Sequence, residues 1–220
     1  MIIFLSIPIL VISFFSLYVL SKHDFVLIRK NVSVNQVFDL SFLSMITAFL
    51  VGRLFFIIND ERKELFNPIQ FFHILRYPGV SVFGFFVGGA ISIWFLFRKT
   101  KALHRVYDIF TISFFPLFLF HLAFRNYPVF SIFISIFIGL VGFLFWLFVI
   151  RSHQKYSFRD GTISYLVTAF ISLDAFYYSF LIPRKSIVLN FSILQVVAVV
   201  LAVFAIFMVW ANQKRIFIKE

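Results

Sequence analysis

FSIFISIFIGLVGFLFWLFVI, from Phe130 to Ile150, is a run of 21 residues without a single charge. A helix rises about 1.5 Å per residue and the hydrocarbon core of a bilayer is about 30 Å thick, so roughly 20 apolar residues make one crossing. Six other stretches are mostly apolar and about as long: Ile2–Leu20, Val37–Ile58, Gly79–Phe97, Asp108–Phe124, Thr162–Ile182 and Val188–Trp210. Backbone groups in lipid must be satisfied within the segment, and continuous apolar runs lack the period-two alternation of a barrel strand. The reading is an all-α polytopic membrane protein with about seven transmembrane helices, forming a single membrane domain over residues 1–220. Asp108–Phe124 is short and contains Pro116. A neighbouring helix or a water-filled cavity has to absorb the break that proline makes there.

The composition points the same way. Hydrophobic residues make up 62% of the chain and charged residues 13%, whereas soluble domains sit near 45–50% and about 25%. Such an excess exceeds what one soluble core can hold. The 37 Phe residues fit either an aromatic-lined pocket or, more simply, lipid-facing positions. The run Ile2–Leu20 has no Lys or Arg before it, and SKHDF follows it without a small-residue cleavage pattern, so it reads as a retained helix and not a signal peptide. The absence of Cys excludes disulfides, thiolate metal sites and a cysteine nucleophile in this chain. No cofactor and no metal are expected.

The net charge of +11 does not indicate nucleic-acid binding, because the basic residues fall in short clusters between the apolar runs. That is the pattern of loops facing anionic headgroups. Thirteen Lys and Arg lie in one set of alternate loops and six in the other, with Arg53 inside a run. The richer side is expected to be cytoplasmic, leaving the amino terminus outside and the carboxyl terminus in the cytoplasm. The outer loop Asn59–Pro78 turns amphipathic around His73 and Arg76, which predicts a short interfacial helix.

Ionisable groups within membrane runs are costly and invite a functional reading. Arg53, His121 and Arg125 approach one outer-leaflet depth, where guanidinium forks and an imidazole can hold a lipid phosphate. The plainer alternative is that the arginines reach out to headgroups and His121 hydrogen-bonds between helices. Asp174 lies mid-way through its run, and structural pairing is its simplest role. In GVSVFGFFVGGAISIWFLFRK, Gly79–Lys99, the glycines Gly84, Gly88 and Gly89 form a small-residue face for close approach of a helix or a lipid.

Several pieces, in order, resemble the bacterial prolipoprotein diacylglyceryl transferase family. GRLFFIIND (Gly52–Asp60) is similar to its arginine-bearing second helix. NPIQFFHILRYPGVSVFGFFVGG (Asn67–Gly89) is similar to its Pro-led outer segment and Gly-rich helix, and FRKTK (Phe97–Lys101) to the basic loop that follows. RDGTISYLVTAF (Arg159–Phe170) and FSILQVVAVVLAVFAIFMVW (Phe191–Trp210) resemble its last two helices.

The resemblance implies transfer of a diacylglyceryl group from phosphatidylglycerol to the cysteine thiol of a lipoprotein precursor. These two molecules are the expected partners. It further implies phosphate-gripping roles for Arg53, Arg125 and the adjacent Asn126; the residue reading, and not the resemblance, offers His121 as the candidate base. The sequence departs from the family at several points. Phe83 stands where the family has a histidine, and a phenyl ring cannot move a proton. An expected arginine falls on Tyr177, a later acidic residue falls near Leu181, and the long outer segment after the fourth helix is missing. A reduced transferase and a non-catalytic relative that binds lipid or joins a membrane assembly are the two readings. Tyr177 and Asp174 are expected as buried polar positions in the sixth helix.

Overall fold

A computed structural model describes residues 2–60, 67–73, 79–124, 132–181 and 193–217. Among the described residues all regular structure is helical, with no strand. In chain order the helices are α1 (Ile2–Lys22), α2 (Phe25–Arg29), α3 (Val34–Asp60), α4 (Pro68–Phe72), α5 (Val82–Phe97), α6 (Leu103–Phe124), α7 (Ile132–Gln154), α8 (Thr162–Leu181) and α9 (Ile193–Phe217). Three stretches are long and apolar enough to cross a membrane, Val34–Ile58, Leu103–Phe120 and Gln195–Lys214. Shorter apolar helices occupy Pro8–Lys22, Phe83–Phe97 and Thr162–Tyr177.

Local chemistry sets the boundaries. α3 starts at Val34, a turn earlier than hydropathy suggests, because Ser33 and Gln36 form a capping box. The Gln36 N–H donates to Ser33 Oγ at 3.2 Å, and the Ser33 N–H donates to Gln36 Oε1 at 3.0 Å. α5 starts at Val82 and not Gly79, since Ser81 caps it by accepting from the Gly84 N–H at 3.3 Å. α4, in the segment where an interfacial helix is expected, is capped by Asn67 and begins with Pro68, which lacks a donor to leave unpaired.

The chain divides into two compact units, Met1–Leu27 with His104–Glu220, and Ile28–Leu103. Within the smaller unit α3 packs on α5 through glycine. A Cβ built at Gly84 would lie 2.7 Å from Phe55 Cβ, and one built at Gly88 would lie 2.8 Å from Ala48 Cα. Gly89 is looser, with the nearest atom at 3.9 Å. The Ser81 N–H closes the contact by donating to the Gly52 carbonyl at 2.9 Å.

Within the larger unit, aromatic rings join α6, α7 and α8. Phe145 stacks on Phe170 at 5.2 Å, and Phe115 meets both rings edge-on at 5.8 Å. Phe14 of α1 meets Phe114 of α6 at 5.8 Å. Phenylalanine thus serves as interhelical packing here, while Phe15, Phe143 and Phe207 face outward. α9 lies against α8, with Ala198, Ala202 and Ala205 buried at helical spacing along one face.

α6 is continuous through Pro116. A proline removes the donor that would bind the carbonyl four residues earlier, here that of Ile112. Trp146 of α7 supplies the replacement, its indole N–H donating to the Ile112 carbonyl at 3.0 Å. A neighbouring helix therefore satisfies the group that proline frees, as transmembrane prolines require.

Candidate functional site

Arg53 sits in α3 and is fully buried. Its guanidinium does not reach outward. Nε donates to the Phe71 carbonyl at 3.1 Å, and Nη1 donates to the Gly79 carbonyl at 2.6 Å. The guanidinium carbon lies 5.3 Å from the centre of the Phe56 ring. One side chain thus fixes both the end of α4 and the backbone just before α5. Gly79 is required for this arrangement: its φ is +150°, a value that L residues with a Cβ rarely adopt, and a Cβ there would run into the Phe56 ring. The remaining nitrogen, Nη2, is buried without a hydrogen-bond partner among the described residues.

Other residues singled out from the sequence are placed as follows. His121 lies in the last turn of α6, and its side chain is not among those described. Arg125 and Asn126 lie outside the described residues. Asp174 is half-buried, while Tyr177 is 44% exposed. Tyr177 shares its face of α8 with exposed Leu173, four residues earlier, so its expected burial is corrected: this is an outward-facing stripe. Phe83 is buried and meets Phe55 edge-on at 5.9 Å. Among the described residues no cluster of His, Asp and Glu is suited to a metal ion.

A second cluster, absent from the sequence reading, lies in the larger unit where α1 and α7 end and α6 and α8 begin. Asp24 and Arg105 form a buried pair, with Nε and Nη2 each 2.7 Å from Oδ2. Asp24 Oδ1 also accepts from the Leu27 N–H at 3.0 Å, capping α2. Asp160 Oδ1 lies 3.6 Å from Arg105 Nη1, and His153 Nε2 lies 3.4 Å from Asp24 Oδ2. Next to it, the buried Asp108 carboxylate accepts from the Gly161 N–H at 2.6 Å and the Ser164 N–H at 2.8 Å. It thereby caps the amino terminus of α8 from another helix, accepting from two of the N–H groups that a helix start leaves unpaired. Asn212 of α9 completes the tie, donating to Thr162 Oγ1 at 2.8 Å.

Tyr156 shows how tightly this region is determined. α7 ends with the Ser157 N–H on the Ser152 carbonyl at 3.0 Å and the Tyr156 N–H on the His153 carbonyl at 3.1 Å, the paired bonds of a Schellman motif. Glycine usually fills the left-handed position, yet Tyr156 holds φ +51°. Its ring lies 4.8 Å from the Arg105 guanidinium and its hydroxyl accepts from the Phe25 N–H at 3.3 Å. Those contacts offset a strain of about 1 kcal/mol or more.

His153 lies beyond the apolar run that ends at Ile150, and its ring is buried. Burial drives its pKa below the ordinary imidazole value, and the Arg105 charge adds to this against the opposing pull of Asp24 and Asp160. For Asp24 burial acts upward, but His153, Arg105 and the Leu27 N–H together hold its carboxyl below the usual carboxylate value. At neutral pH the pair is therefore Asp24 charged and His153 neutral. Below about pH 6.5 the unfolded chain binds a proton that the folded His153 refuses, so stability falls as pH drops through that point. The loss from Asp24 comes only in stronger acid, below about pH 4. Between pH 7.5 and 5.5 the Tm of His153→Gln is expected to fall less than that of the wild type. An unchanged slope in that variant would assign the acid sensitivity elsewhere.

Buried charge pairs, a proline satisfied by a neighbouring indole and outward-facing apolar stripes define a helical membrane protein. Within that class, residues 4–124 match the model of the prolipoprotein diacylglyceryl transferase family, and the chain belongs to that family. The match ends at Phe124, so the likeness seen at Arg159–Phe170 and Phe191–Trp210 lies beyond it. No curated protein and no solved structure matches the chain.

Proposed function

We propose that this chain is a seven-span transferase of the bacterial cell membrane, with its amino terminus outside and its carboxyl terminus in the cytoplasm, forming a single membrane domain. It would move a diacylglyceryl group from phosphatidylglycerol to the lipobox cysteine of a lipoprotein precursor. In that reaction a sulfur–carbon bond forms at the glycerol carbon, the carbon–oxygen bond to phosphate breaks, and glycerol phosphate leaves with the negative charge. The thiol gives up its proton as it attacks, with His121 as the proposed acceptor. The site must grip the phosphate more strongly as charge builds on it.

The observation that carries this reading is Arg53 Nη2, buried and unpartnered among the described residues beside two donors already held by protein carbonyls. A guanidinium fixed in this way has one free edge for an anionic oxygen, and Arg125 with Asn126 would supply further donors. A charge-assisted contact contributes about 1.5–3 kcal/mol, so Arg53→Ala is expected to weaken phosphatidylglycerol retention about ten-fold or more. Arg53→Lys keeps the charge but loses the fork that holds the Phe71 and Gly79 carbonyls. It should lower thermal stability as well and recover only part of the lipid binding. Native mass spectrometry checks both variants. Equal phosphatidylglycerol retention by wild type and the Arg53→Ala, Arg125→Ala double variant would end the phosphate reading.

One observation favours the second reading, a lipid-binding relative without catalysis: Phe83 fills the position of the family's histidine and is packed against Phe55. Incubating the protein in phosphatidylglycerol vesicles with a lipobox peptide decides between them. A peptide mass increase of one diacylglyceryl group establishes the transferase. Retained phosphatidylglycerol with an unmodified peptide establishes the relative.

A further inference from the structure

Three helices end in the same way. In α1 the Lys22 ammonium lies 5.3 Å from the centre of the Tyr18 ring, and in α9 the Lys214 ammonium lies 4.7 Å from the Trp210 ring. In α5 the Arg98 guanidinium lies 5.4 Å from Trp94 and 5.0 Å from Phe95. The spacing is four residues for Tyr18, Trp94 and Trp210 and three for Phe95, about one helical turn, which places ring and cation on one face. All three rings and all three cations are exposed. The same faces continue away from the helix end as exposed apolar side chains: Val11 and Phe15 before Tyr18, Ile91 before Trp94, Val203 and Phe207 before Trp210.

Each face therefore runs from aliphatic or phenyl, through an amphipathic ring, to a cation within about two to three turns. That order matches the change from hydrocarbon through interface to headgroup at a membrane surface. The ring face attracts the cation, and all three cations stay exposed. We propose that the carboxyl-terminal ends of α1, α5 and α9 are anchors that bind anionic phospholipid headgroups, separately from any lipid held as substrate at Arg53. The inference rests on the seven-span reading.

Two measurements test it. Trp94 and Trp210 report depth in vesicles containing phospholipids brominated either near the headgroup or near the chain end, and the Trp94→Phe, Trp210→Phe variant supplies the Trp146 background. Stronger quenching by the shallow bromines is expected, and stronger quenching by the deep ones overturns the proposal. The second measurement counts the lipids that remain with the protein in mixed phosphatidylserine and phosphatidylcholine nanodiscs. Wild type should enrich phosphatidylserine on the order of two- to five-fold for each end at low salt, and the Lys22→Gln, Arg98→Gln, Lys214→Gln variant should lose that enrichment. Undiminished enrichment in the triple variant also overturns it. Arg53→Ala should leave phosphatidylserine enrichment intact, so failure of the phosphate reading and failure of this one are distinguishable.

Discussion

Arg105→Met is expected to destabilise the protein by about 3–5 kcal/mol, because it leaves Asp24 charged and buried with its main partner gone. In a chain of this length that corresponds to a Tm lowered by roughly 10 °C. The guanidinium is enclosed, making two contacts of 2.7 Å to one carboxylate oxygen, a longer contact to Asp160 and a stacked contact to Tyr156. Among the described residues no other cation lies as close to the carboxylate. His153, at 3.4 Å, is held neutral by its own burial and would have to take up a proton to compensate.

The double variant Asp24→Asn, Arg105→Met should recover much of the loss. Buried pairs replaced on both sides cost far less than pairs broken on one side, and an asparagine oxygen can still accept from the Leu27 N–H. Thermal unfolding of the detergent-solubilised protein measures both. If Arg105→Met unfolds like wild type, the pair is solvated and the enclosed cluster described above is wrong.

This pair was hidden from the sequence for a definable reason. Hydropathy marks where charge is scarce, so Arg105 and Arg159 read as loop charges that set orientation. The partner of Arg105 lies 81 residues away, between α1 and α2, where no periodicity points to it. A signal was present nonetheless: Asp24, Asp108 and Asp160, three of only nine acidic residues, all fall at run boundaries otherwise rich in Lys and Arg. Arg53 is the opposite case. Its position inside a run made it conspicuous, but its partners are the carbonyls of Phe71 and Gly79, and backbone carbonyls carry no residue signature. Pro116 was legible as a break and Trp146 was not, since an indole among phenylalanines looks like one more apolar residue. The small-residue spacing at Gly84 and Gly88 was readable at once, because close approach of two helices demands the absence of a side chain.

That last point leads to the other large effect. Gly88→Leu is expected to force α3 and α5 apart and to destabilise the protein by about 3 kcal/mol or more, at or beyond the upper end of overpacking costs. A Cβ alone at Gly88 would lie 2.7 Å from Val51 Cβ and 2.8 Å from both Ala48 Cα and the Thr47 carbonyl oxygen. Two of those three atoms are backbone, so no rotamer change makes room and the helix itself must move. Gly88→Ala isolates the first carbon. The clash acts against a helix-propensity gain of about 1 kcal/mol, so its net effect is smaller but still destabilising. Gly89→Ala is the control, because the nearest atom to its Cβ is 3.9 Å away, an ordinary contact. The propensity gain then stands alone, and the variant should be neutral or slightly more stable. Tm and yield in detergent are expected to fall in the order Gly89→Ala, Gly88→Ala, Gly88→Leu. If Gly88→Leu is tolerated as well as Gly89→Ala, that face of α5 meets lipid and not α3, and the route by which α3 places Arg53 against the Gly79 carbonyl must be different.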